Sequence, residues 1–258
     1  MTKLEQTRQI IRDAILTAQR PVLALSGGKD SVMLLDLCRP YRDRLHVVWA
    51  RTTETFPHMI DFVRRNVAGW NFVELVGDQA KHFAKHGRPS AIIPVRHRPH
   101  EKNPGILIQS DGYCCKDLQY RPLARYIKRY GADLVLHGQT AEDLRNVKLS
   151  FPKMLRPLAR DRIVAPLDAW TADEVLDHCR TQGIELPLQY GDGLPDSLEC
   201  WNCTVRTDLA RFLWMQKRYP ELAARLGTMM REVYGAVLAD YETHIKPVIN
   251  AAECKTKT

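Results

Sequence analysis

The sequence contains no run of about 18 consecutive apolar residues, the length that a membrane-spanning helix needs. Residues 1–16 are charged and have the apolar spacing of an amphipathic helix, so we expect them not to be a secretory leader. These features argue against a helical membrane protein, and we expect no membrane partner. They predict a cytoplasmic protein.

The chain also has no internal repeat and no low-complexity tract. Its seven cysteines are an odd number in 258 residues, which argues against a disulfide framework. The composition, 45% hydrophobic and 26% charged, is the ordinary mix of a globular protein. Lysine and arginine outnumber aspartate and glutamate by 38 to 30, and the resulting net charge of +8 favours polyanionic partners or phosphorylated substrates.

Short apolar runs alternate with amphipathic segments over much of the chain. The runs predict buried strands at residues 21–25, 45–50, 72–76 and 133–137, and the segments between them predict helices. This alternation is typical of an α/β protein with a mainly parallel sheet and helices on both faces. We expect a nucleotide-binding α/β core over residues 1–165 and a helical C-terminal region over residues 166–258, within one continuous domain.

A glycine-rich loop joins the first predicted strand to the next predicted helix. It consists of Ser26, Gly27, Gly28, Lys29, Asp30 and Ser31. Glycines let backbone amides approach a phosphate, and the amides at a helix N-terminus bind anions. The G-x-x-x-x-G-K spacing of a Walker A loop is absent, which excludes that class of site. We predict that Lys29 neutralises phosphate charge, that Ser31 donates a hydrogen bond, and that Asp30 caps the helix or positions Mg²⁺.

The strand, the SGGKDS loop and the helix resemble the PP-loop ATP pyrophosphatases, or adenine nucleotide α-hydrolases. The resemblance implies a Rossmann-like (HUP/PP-loop) sheet, ATP and Mg²⁺ as ligands, and catalysis by residues 29–31 with release of pyrophosphate. We expect Thr53 and Gly138 to line the nucleotide cleft. We also expect Arg145 or Lys148 to offer positive charge near the acceptor substrate.

Further segments between residues 20 and 206 are similar to the phosphoadenylylsulfate (PAPS) reductase family, which shares this fold. In chain order they are TETFP at 53–57 with Phe62, HGQ at 137–139 with Glu142 and Arg145, PLDAWT at 166–171, Tyr190 with Gly193, and CWNCT at 200–204. Two positions depart from the family pattern. Glu54 stands where the family has a glycine, and Gln139 stands where it has an arginine.

Four of the cysteines form a C-C pair and a C-x-x-C pair: Cys114, Cys115, Cys200 and Cys203. Four thiolates can bind a structural zinc ion or an iron–sulfur cluster, and thiols without a metal or a redox pair are further alternatives. Adjacent side chains diverge, so a C-C pair suits tetrahedral zinc poorly. The pattern resembles the iron–sulfur members of the family, including Lys116 and the Pro122-Leu123 pair. This resemblance implies a 4Fe–4S cluster.

Two enzymatic hypotheses follow from these motifs. In the first, the chain is an ATP pyrophosphatase with a 4Fe–4S cluster that acts in sulfur transfer, as in DNA phosphorothioation. Lys29 favours this hypothesis because a lysine suits a leaving pyrophosphate. In the second, the chain reduces adenylylsulfate or its 3′-phosphate (PAPS) to sulfite with Cys254 as nucleophile. Reductases of the family end in E-C-G-x-H, whereas Lys255 and Thr256 follow Cys254 here. A non-catalytic nucleotide-binding subunit is the third hypothesis.

Residues 86–112 are rich in proline and basic side chains and are predicted to form an irregular functional loop. Its basic residues suit a nucleic acid or a complex that modifies nucleic acid, and the alternative is a solvated charged loop. They are Arg88, Arg96, His97, Arg98, His100 and Lys102. A sulfur-donor protein, such as a cysteine desulfurase, is the other partner that sulfur transfer implies.

Overall fold

The computed structural model describes residues 1–102, 105–140, 142 and 163–254, and the chain divides into two compact units. The first unit contains Met1–Gly77 and Lys116–Glu199, and the second contains Asp78–Cys115 and Cys200–Thr258. Each unit therefore combines two separate stretches of chain. The boundary predicted near residue 165 lies within a stretch of the first unit, and that division stays a prediction.

The strands are β1 (Pro21–Leu25), β2 (His46–Thr52), β3 (Asn71–Gly77), β4 (Arg88–Ser90), β5 (Ile108–Ser110), β6 (Leu134–His137) and β7 (Ile163–Val164). The helices are α1 (Lys3–Thr17), α2 (Lys29–Leu37), α3 (Pro57–Asn66), α4 (Gln79–His86), α5 (Tyr113–Cys115), α6 (Arg121–Tyr130), α7 (Ala172–Thr181), α8 (Leu188–Gly191), α9 (Leu209–Arg218), α10 (Pro220–Asp240) and α11 (Lys246–Cys254). There are 3₁₀ turns at Arg39–Tyr41 and Val95–His97, and π-helical turns at Lys116–Tyr120 and Tyr241–Ile245.

The first unit is built on a parallel sheet with the strand order β3-β2-β1-β6-β7. Every residue of β1 is buried, and its side chains alternate between two apolar clusters. Leu23 and Leu25 pack with residues of α1 and α2, whereas Val22 and Ala24 pack with residues of α6. Because successive side chains of a strand point to opposite faces, helices cover both faces of the sheet. The predicted α/β class is confirmed.

The four predicted strands are all present, each within two residues of its expected bounds. Helix α7 begins directly after Thr171, whose hydroxyl accepts a hydrogen bond from the Glu174 amide at 3.3 Å. The Glu174 carboxylate in turn accepts one from the Thr171 amide at 2.8 Å. Such reciprocal capping satisfies two amides that would otherwise lack a partner within the helix.

The second unit contains the short parallel pair β4 and β5 and the helices α9 and α10. Both strands fall in residues 86–112, so the prediction of a wholly irregular loop was wrong there. Each strand has only three residues, too few to show an alternating pattern. Gly87 precedes β4 with φ +80°, and a Cβ there would lie 2.0 Å from the Leu107 carbonyl oxygen. Only glycine permits this approach.

Helix α10 has 21 residues and packs against α9 through an apolar face that includes Ala223, Leu226 and Val233. Its opposite face is polar, as in other amphipathic helices. Across the described ranges, no helix is both long enough and apolar enough to cross a membrane.

Candidate nucleotide-binding site

The order of the sheet reverses between β1 and β6, because the chain passes from β1 to β2 on one side and reaches β6 on the other. In a parallel α/β sheet, ligands bind at such a switch point, outside the carboxyl ends of the strands. The glycine-rich loop, residues 26–31, follows β1 directly, and Gly138 follows β6 directly. The topology therefore brings both predicted elements to one place.

The hydroxyl of Ser31 organises the glycine-rich loop from within. It is buried, accepts hydrogen bonds from the amides of Ser26 (3.3 Å) and Gly27 (3.0 Å), and donates to the Gly28 carbonyl at 3.0 Å. The Ser26 hydroxyl lies 3.1 Å from the Ser31 hydroxyl oxygen and accepts a hydrogen bond from the Gly28 amide at 3.3 Å. These bonds shape the backbone that is to meet a phosphate. The direct bond from Ser31 to a ligand stays a prediction.

Two glycines allow close packing around this loop. Gly27 has φ +85°, and a Cβ there would lie 2.9 Å from Cγ2 of Val63. A Cβ on Gly138 would lie 2.7 Å from the backbone nitrogen of Ser31 and 2.8 Å from the carbonyl carbon of Asp30. The end of β6 therefore touches the first turn of α2, and a side chain at position 138 would separate them.

Helix α2 begins at Lys29, after Gly28, which provides no side-chain cap. The Lys29 amide instead donates a hydrogen bond to the Tyr190 hydroxyl at 3.2 Å. Burial raises the pKa of Tyr190 to about 12, although the bond from the Lys29 amide opposes the shift. A neutral phenol therefore lies at the positive end of α2, where anions bind in other proteins.

The side chains of Lys29 and Asp30 form an ion pair. The Lys29 ammonium lies 3.0 Å and 2.9 Å from the two carboxylate oxygens of Asp30, and both side chains are largely shielded from solvent. Asp30 lines the cleft at the switch point, whereas Lys29 is not among the described lining residues. The Lys29 ammonium, which was predicted to neutralise phosphate, contacts the Asp30 carboxylate in this structure.

The cleft has a volume of about 270 Å³ and is lined by both apolar and polar side chains. Trp49, Met59 and Leu123 are among the apolar ones, and Ser26 and Ser31 contribute hydroxyls. A lining that combines apolar side chains with a few polar groups is typical of sites for small organic ligands. The size and the lining suit a nucleotide base and sugar better than a bare anion.

The cleft carries little positive charge among its described residues. Arg51 is its one cation, whereas Asp30 and Glu199 are acidic. Arg51 is also paired, because its guanidinium donates to the carboxylate of Glu74, which also binds Arg64. Burial acts to raise the pKa of Glu74, but the bonds from Arg51 and Arg64 outweigh burial and lower it. The charge of Arg51 is thus partly neutralised before any ligand binds.

Only some of the other predicted residues line the cleft. Gly138 and Gln139 line the cleft, and the side-chain oxygen of Gln139 is buried without a hydrogen-bond partner among the described residues. Thr53 is exposed and lies outside the described lining, whereas Thr55 belongs to it. Arg145 and Lys148 fall outside the described residues, so their role stays a prediction.

The polar lining residues that the sequence did not predict include Gln119, Ser197 and Glu199. The side-chain amide of Gln119 donates to the Glu199 carboxylate at 3.3 Å, and a Cβ on Gly28 would lie 2.9 Å from the Ser197 hydroxyl oxygen. Gln119 is in a π-helical turn, and residues 197–199 have no regular structure. No periodic pattern marks such positions. Their proximity to the C-C and C-x-x-C pairs was the one available signal.

All four predicted ligand cysteines belong to the second unit, and none is in a disulfide bond. Cys114 and Cys200 are buried, and Cys115 and Cys203 are half-buried. No three of these sulfur atoms, all in described residues, lie within 4.8 Å of one another.

The surroundings of Cys203 combine burial with donors to its sulfur. Burial raises the pKa of Cys203 and Cys115 adds to the rise, whereas the amides of Arg206 and Val205 and the charge of Arg211 oppose it. The Arg206 amide donates to the Cys203 sulfur at 3.4 Å. Backbone donors and a nearby cation are features that also surround thiolate ligands of iron–sulfur clusters. A 4Fe–4S cluster on the four cysteines stays a prediction.

The basic residues of segment 86–112 divide into two sets. Arg88 pairs with Glu232, Arg96 pairs with Asp240 at 2.7 Å, and the His97 ring lies 2.7 Å from the Ile106 carbonyl oxygen. These contacts have structural roles within the second unit. The other three are exposed, and their role as a surface for a polyanion, or as a solvated charged loop, stays a prediction: Arg98, His100 and Lys102.

Comparison with known proteins agrees with this geometry. Residues 20–206 match the family model of the phosphoadenosine phosphosulfate reductase domain. An uncharacterised protein of Methanocaldococcus jannaschii is 23% identical over 200 residues, which cover 77% of this chain but only 44% of that protein. A phosphoadenylyl-sulfate (PAPS) reductase from Candida auris, solved as a phosphate complex, has the same fold. Its TM-score is 0.52 at 18% identity, and the match covers 76% of this chain and 88% of that chain.

Proposed function

Since the chain belongs to the phosphoadenosine phosphosulfate reductase domain family, we propose that it binds a sulfonucleotide in the cleft at the switch point and reduces it to sulfite. The substrate that suits the cleft best is adenylylsulfate. The observation that carries this proposal is the low positive charge of the cleft, where Arg51 is the one cation among the described lining residues.

Charge distinguishes the possible nucleotides. Adenylylsulfate carries one phosphate and one sulfate, whereas PAPS has an added phosphate and ATP has three phosphates. Each further phosphate needs further neutralisation, from cations or from backbone amides. Gln139 supplies a neutral amide where the family pattern has an arginine. The described cleft therefore matches the least charged of the three nucleotides.

The residues of the first unit bind and orient this substrate. Amides at the start of α2, shaped by Ser31, receive the phosphate oxygens. The base and sugar lie against apolar lining residues such as Trp49 and Met59. The neutral Tyr190 hydroxyl contacts the Lys29 amide and limits how far an anion can approach the end of the helix.

The reaction needs a thiolate, and Cys254 at the end of α11 is the candidate. The thiolate attacks the sulfur of adenylylsulfate, the bond from that sulfur to the bridging oxygen breaks, and AMP leaves with the electron pair. The product is an S-sulfonated cysteine. A dithiol protein, such as thioredoxin, then attacks the cysteine sulfur and releases sulfite. The thiols end as a disulfide, and the sulfur atom gains two electrons.

The four cysteines of the second unit would hold a 4Fe–4S cluster in the same proposal: Cys114, Cys115, Cys200 and Cys203. When bound, the cluster would supply electrostatic stabilisation or redox chemistry. Arg211 supports the site, because its guanidinium donates to the carbonyl of Cys200. No step of the reaction above depends on the cluster.

Lys29 favours a second candidate function, an ATP pyrophosphatase that adenylates an acceptor for sulfur transfer, as in DNA phosphorothioation. A lysine beside two glycines stabilises a leaving pyrophosphate, and a carboxylate such as Asp30 can bind Mg²⁺. For this reaction the ion pair between Lys29 and Asp30 has to open, so that each group meets its own ligand. A sulfur-donor protein and a nucleic acid would then be the partners.

One experiment separates the two candidates. The protein is purified anaerobically, and sulfite release from adenylylsulfate with reduced thioredoxin is measured beside pyrophosphate release from ATP. We expect sulfite release that Cys254→Ser abolishes and that the neighbouring exposed control Ala252→Ser retains. Pyrophosphate release without sulfite release, lost in Lys29→Ala, would replace the first candidate by the second.

A further inference from the structure

Two histidines of the second unit lie one turn apart on helix α4. His82 and His86 are spaced by four residues, so both side chains are on one face of the helix. His82 is buried and His86 is half-buried, and their ring centroids are 4.7 Å apart. One nitrogen of each ring lies within 4.8 Å of one nitrogen of the other. The helix therefore holds two imidazole nitrogens close together in a largely enclosed place.

Gln109 fixes the position of the proton on the His82 ring. The Gln109 side-chain nitrogen donates a hydrogen bond to the carbonyl of Gly87, and a carbonyl only accepts. The Gln109 side-chain oxygen is therefore the atom that lies 2.9 Å from Nε2 of His82. Because this oxygen also only accepts, Nε2 carries the proton, and Nδ1 is the nitrogen that can bind a metal. Metal-binding histidines have this arrangement, with one ring nitrogen on the metal and the other donating to a carbonyl or carboxylate oxygen.

The surroundings hold both rings in place and favour a cation. The Tyr113 ring packs against them, with its centroid 5.5 Å from that of His82 and 5.3 Å from that of His86. His86 lies in the last turn of α4, and Gly87 is the C-cap of this helix. The carbonyl end of a helix carries partial negative charge, which stabilises a cation there. Packing and the helix dipole therefore both suit an ion between the two rings.

We propose that His82 and His86 bind a divalent transition-metal ion, and that Zn²⁺ suits the pair best. Imidazole is a common ligand of Zn²⁺, and an ion without a geometric preference from its d electrons accepts the angle that the helix sets. Two Zn–N bonds of about 2.0–2.1 Å place their nitrogens at most about 4.2 Å apart, so small side-chain rotations bring both nitrogens onto one ion. Water or other oxygen donors would complete its shell. The proposed pair includes none of the four cysteines.

The ion would stabilise the packing of α4 on the segment that carries the C-C pair. Gln109 belongs to β5, and Tyr113 directly precedes Cys114 and Cys115. A metal ion bound only by the folded protein stabilises the fold. Zinc should therefore raise the melting temperature of the wild type by more than that of a variant without the histidine pair. An equal rise in both proteins would exclude this stabilising role.

The first test measures the zinc content of the full chain, purified anaerobically without a histidine tag and dialysed after equilibration with Zn²⁺. The matched variant combines Ala84→His with His86→Ala, which keeps the number of histidines but places the second ring about 160° round the helix from His82. Ala84 is exposed, so the added ring meets solvent. Both proteins have the same seven cysteines, so zinc bound there contributes equally. We expect the wild type to retain one more zinc ion per chain, and an equal content would overturn the proposal.

The second test identifies the ligand atoms in the wild type and needs no substitution. X-ray absorption at the zinc edge should show nitrogen at about 2.0–2.1 Å, whereas zinc on cysteines shows sulfur at about 2.3 Å. A spectrum with sulfur alone would overturn the proposal. Gln109→Leu should weaken zinc affinity by about 10-fold to 100-fold, as the loss of a partner of a ligating histidine does in other metal sites. Wild-type affinity in this variant would overturn the assignment of Nδ1 of His82 as the ligand.

Discussion

Gly138 is the position where the end of β6 touches the start of α2, and its replacement by alanine tests the whole arrangement at the switch point. The added Cβ would lie 2.7 Å from the Ser31 nitrogen, 2.8 Å from the Asp30 carbonyl carbon and 2.9 Å from the Asp30 carbonyl oxygen. All three atoms belong to the backbone. No side chain can rotate away, so either the strand or the helix has to move.

Such overpacking costs about 1–3 kcal/mol in protein cores. The displaced backbone is the one that donates its amides to the proposed phosphate site, and Ser31 also ties it to Gly27 and Gly28. If the displacement acts entirely on binding, an energy of about 1–3 kcal/mol weakens nucleotide affinity by about 5-fold to 150-fold. We expect the loss for adenylylsulfate and for ATP alike, because both would use these amides.

Isothermal titration calorimetry of Gly138→Ala with each nucleotide measures this loss, and urea denaturation measures the change in unfolding free energy. Gly235→Ala is the matched control, since its Cβ meets no atom within 4 Å and lies in the middle of α10. Alanine in a helix should raise stability there by about 0.5–1 kcal/mol. Wild-type affinity and stability in Gly138→Ala would refute the packing argument.

Three further substitutions test other parts of the first unit. Ser31→Ala should lower the unfolding free energy by about 1–3 kcal/mol, because amides of the loop lose their acceptor, and an unchanged urea midpoint would contradict this. The folded-state pKa of Tyr190, about 12, exceeds the ordinary 10.0, so its contribution to stability is present below pH 10 and is lost as the pH rises from 10 to 12. Tyr190→Phe should reduce this alkaline loss in thermal denaturation, and an identical pH profile would exclude it. The lowered pKa of Glu74 means that its contribution is present above the ordinary 4.5 and is lost as the pH falls below it. Glu74→Gln should therefore destabilise the protein at neutral pH and much less in acid, and a pH-independent difference would argue against this ion pair.

The fold could be predicted from the sequence because its signals are local. The five buried residues of β1 are consecutive apolar residues, and the loop that follows contains two adjacent glycines. The polar wall of the cleft was not predictable in this way. Gln119 and Glu199 are 80 positions apart, and they meet only through tertiary packing. Pairing of Lys29 with its own neighbour Asp30, instead of with a ligand, depends on side-chain geometry that spacing does not encode.

The four cysteines show why a motif alone does not separate a catalytic role from a structural one. Cys115 and Cys200 are 85 positions apart, and the two pairs come from the two separate stretches of the second unit. Any group that binds all four cysteines closes the loop of chain between Cys115 and Cys200. In the chain-entropy model, the lost entropy of the unfolded chain corresponds to a stabilisation of about 4–5 kcal/mol. This is comparable to the whole net stability of a small domain, about 5–15 kcal/mol. A substitution such as Cys203→Ser would therefore destabilise the second unit whichever role the group has. Measuring nucleotide binding by such a variant separates a catalytic role of the bound group from a structural one. The described lining of the cleft comes from the first unit and includes none of these cysteines.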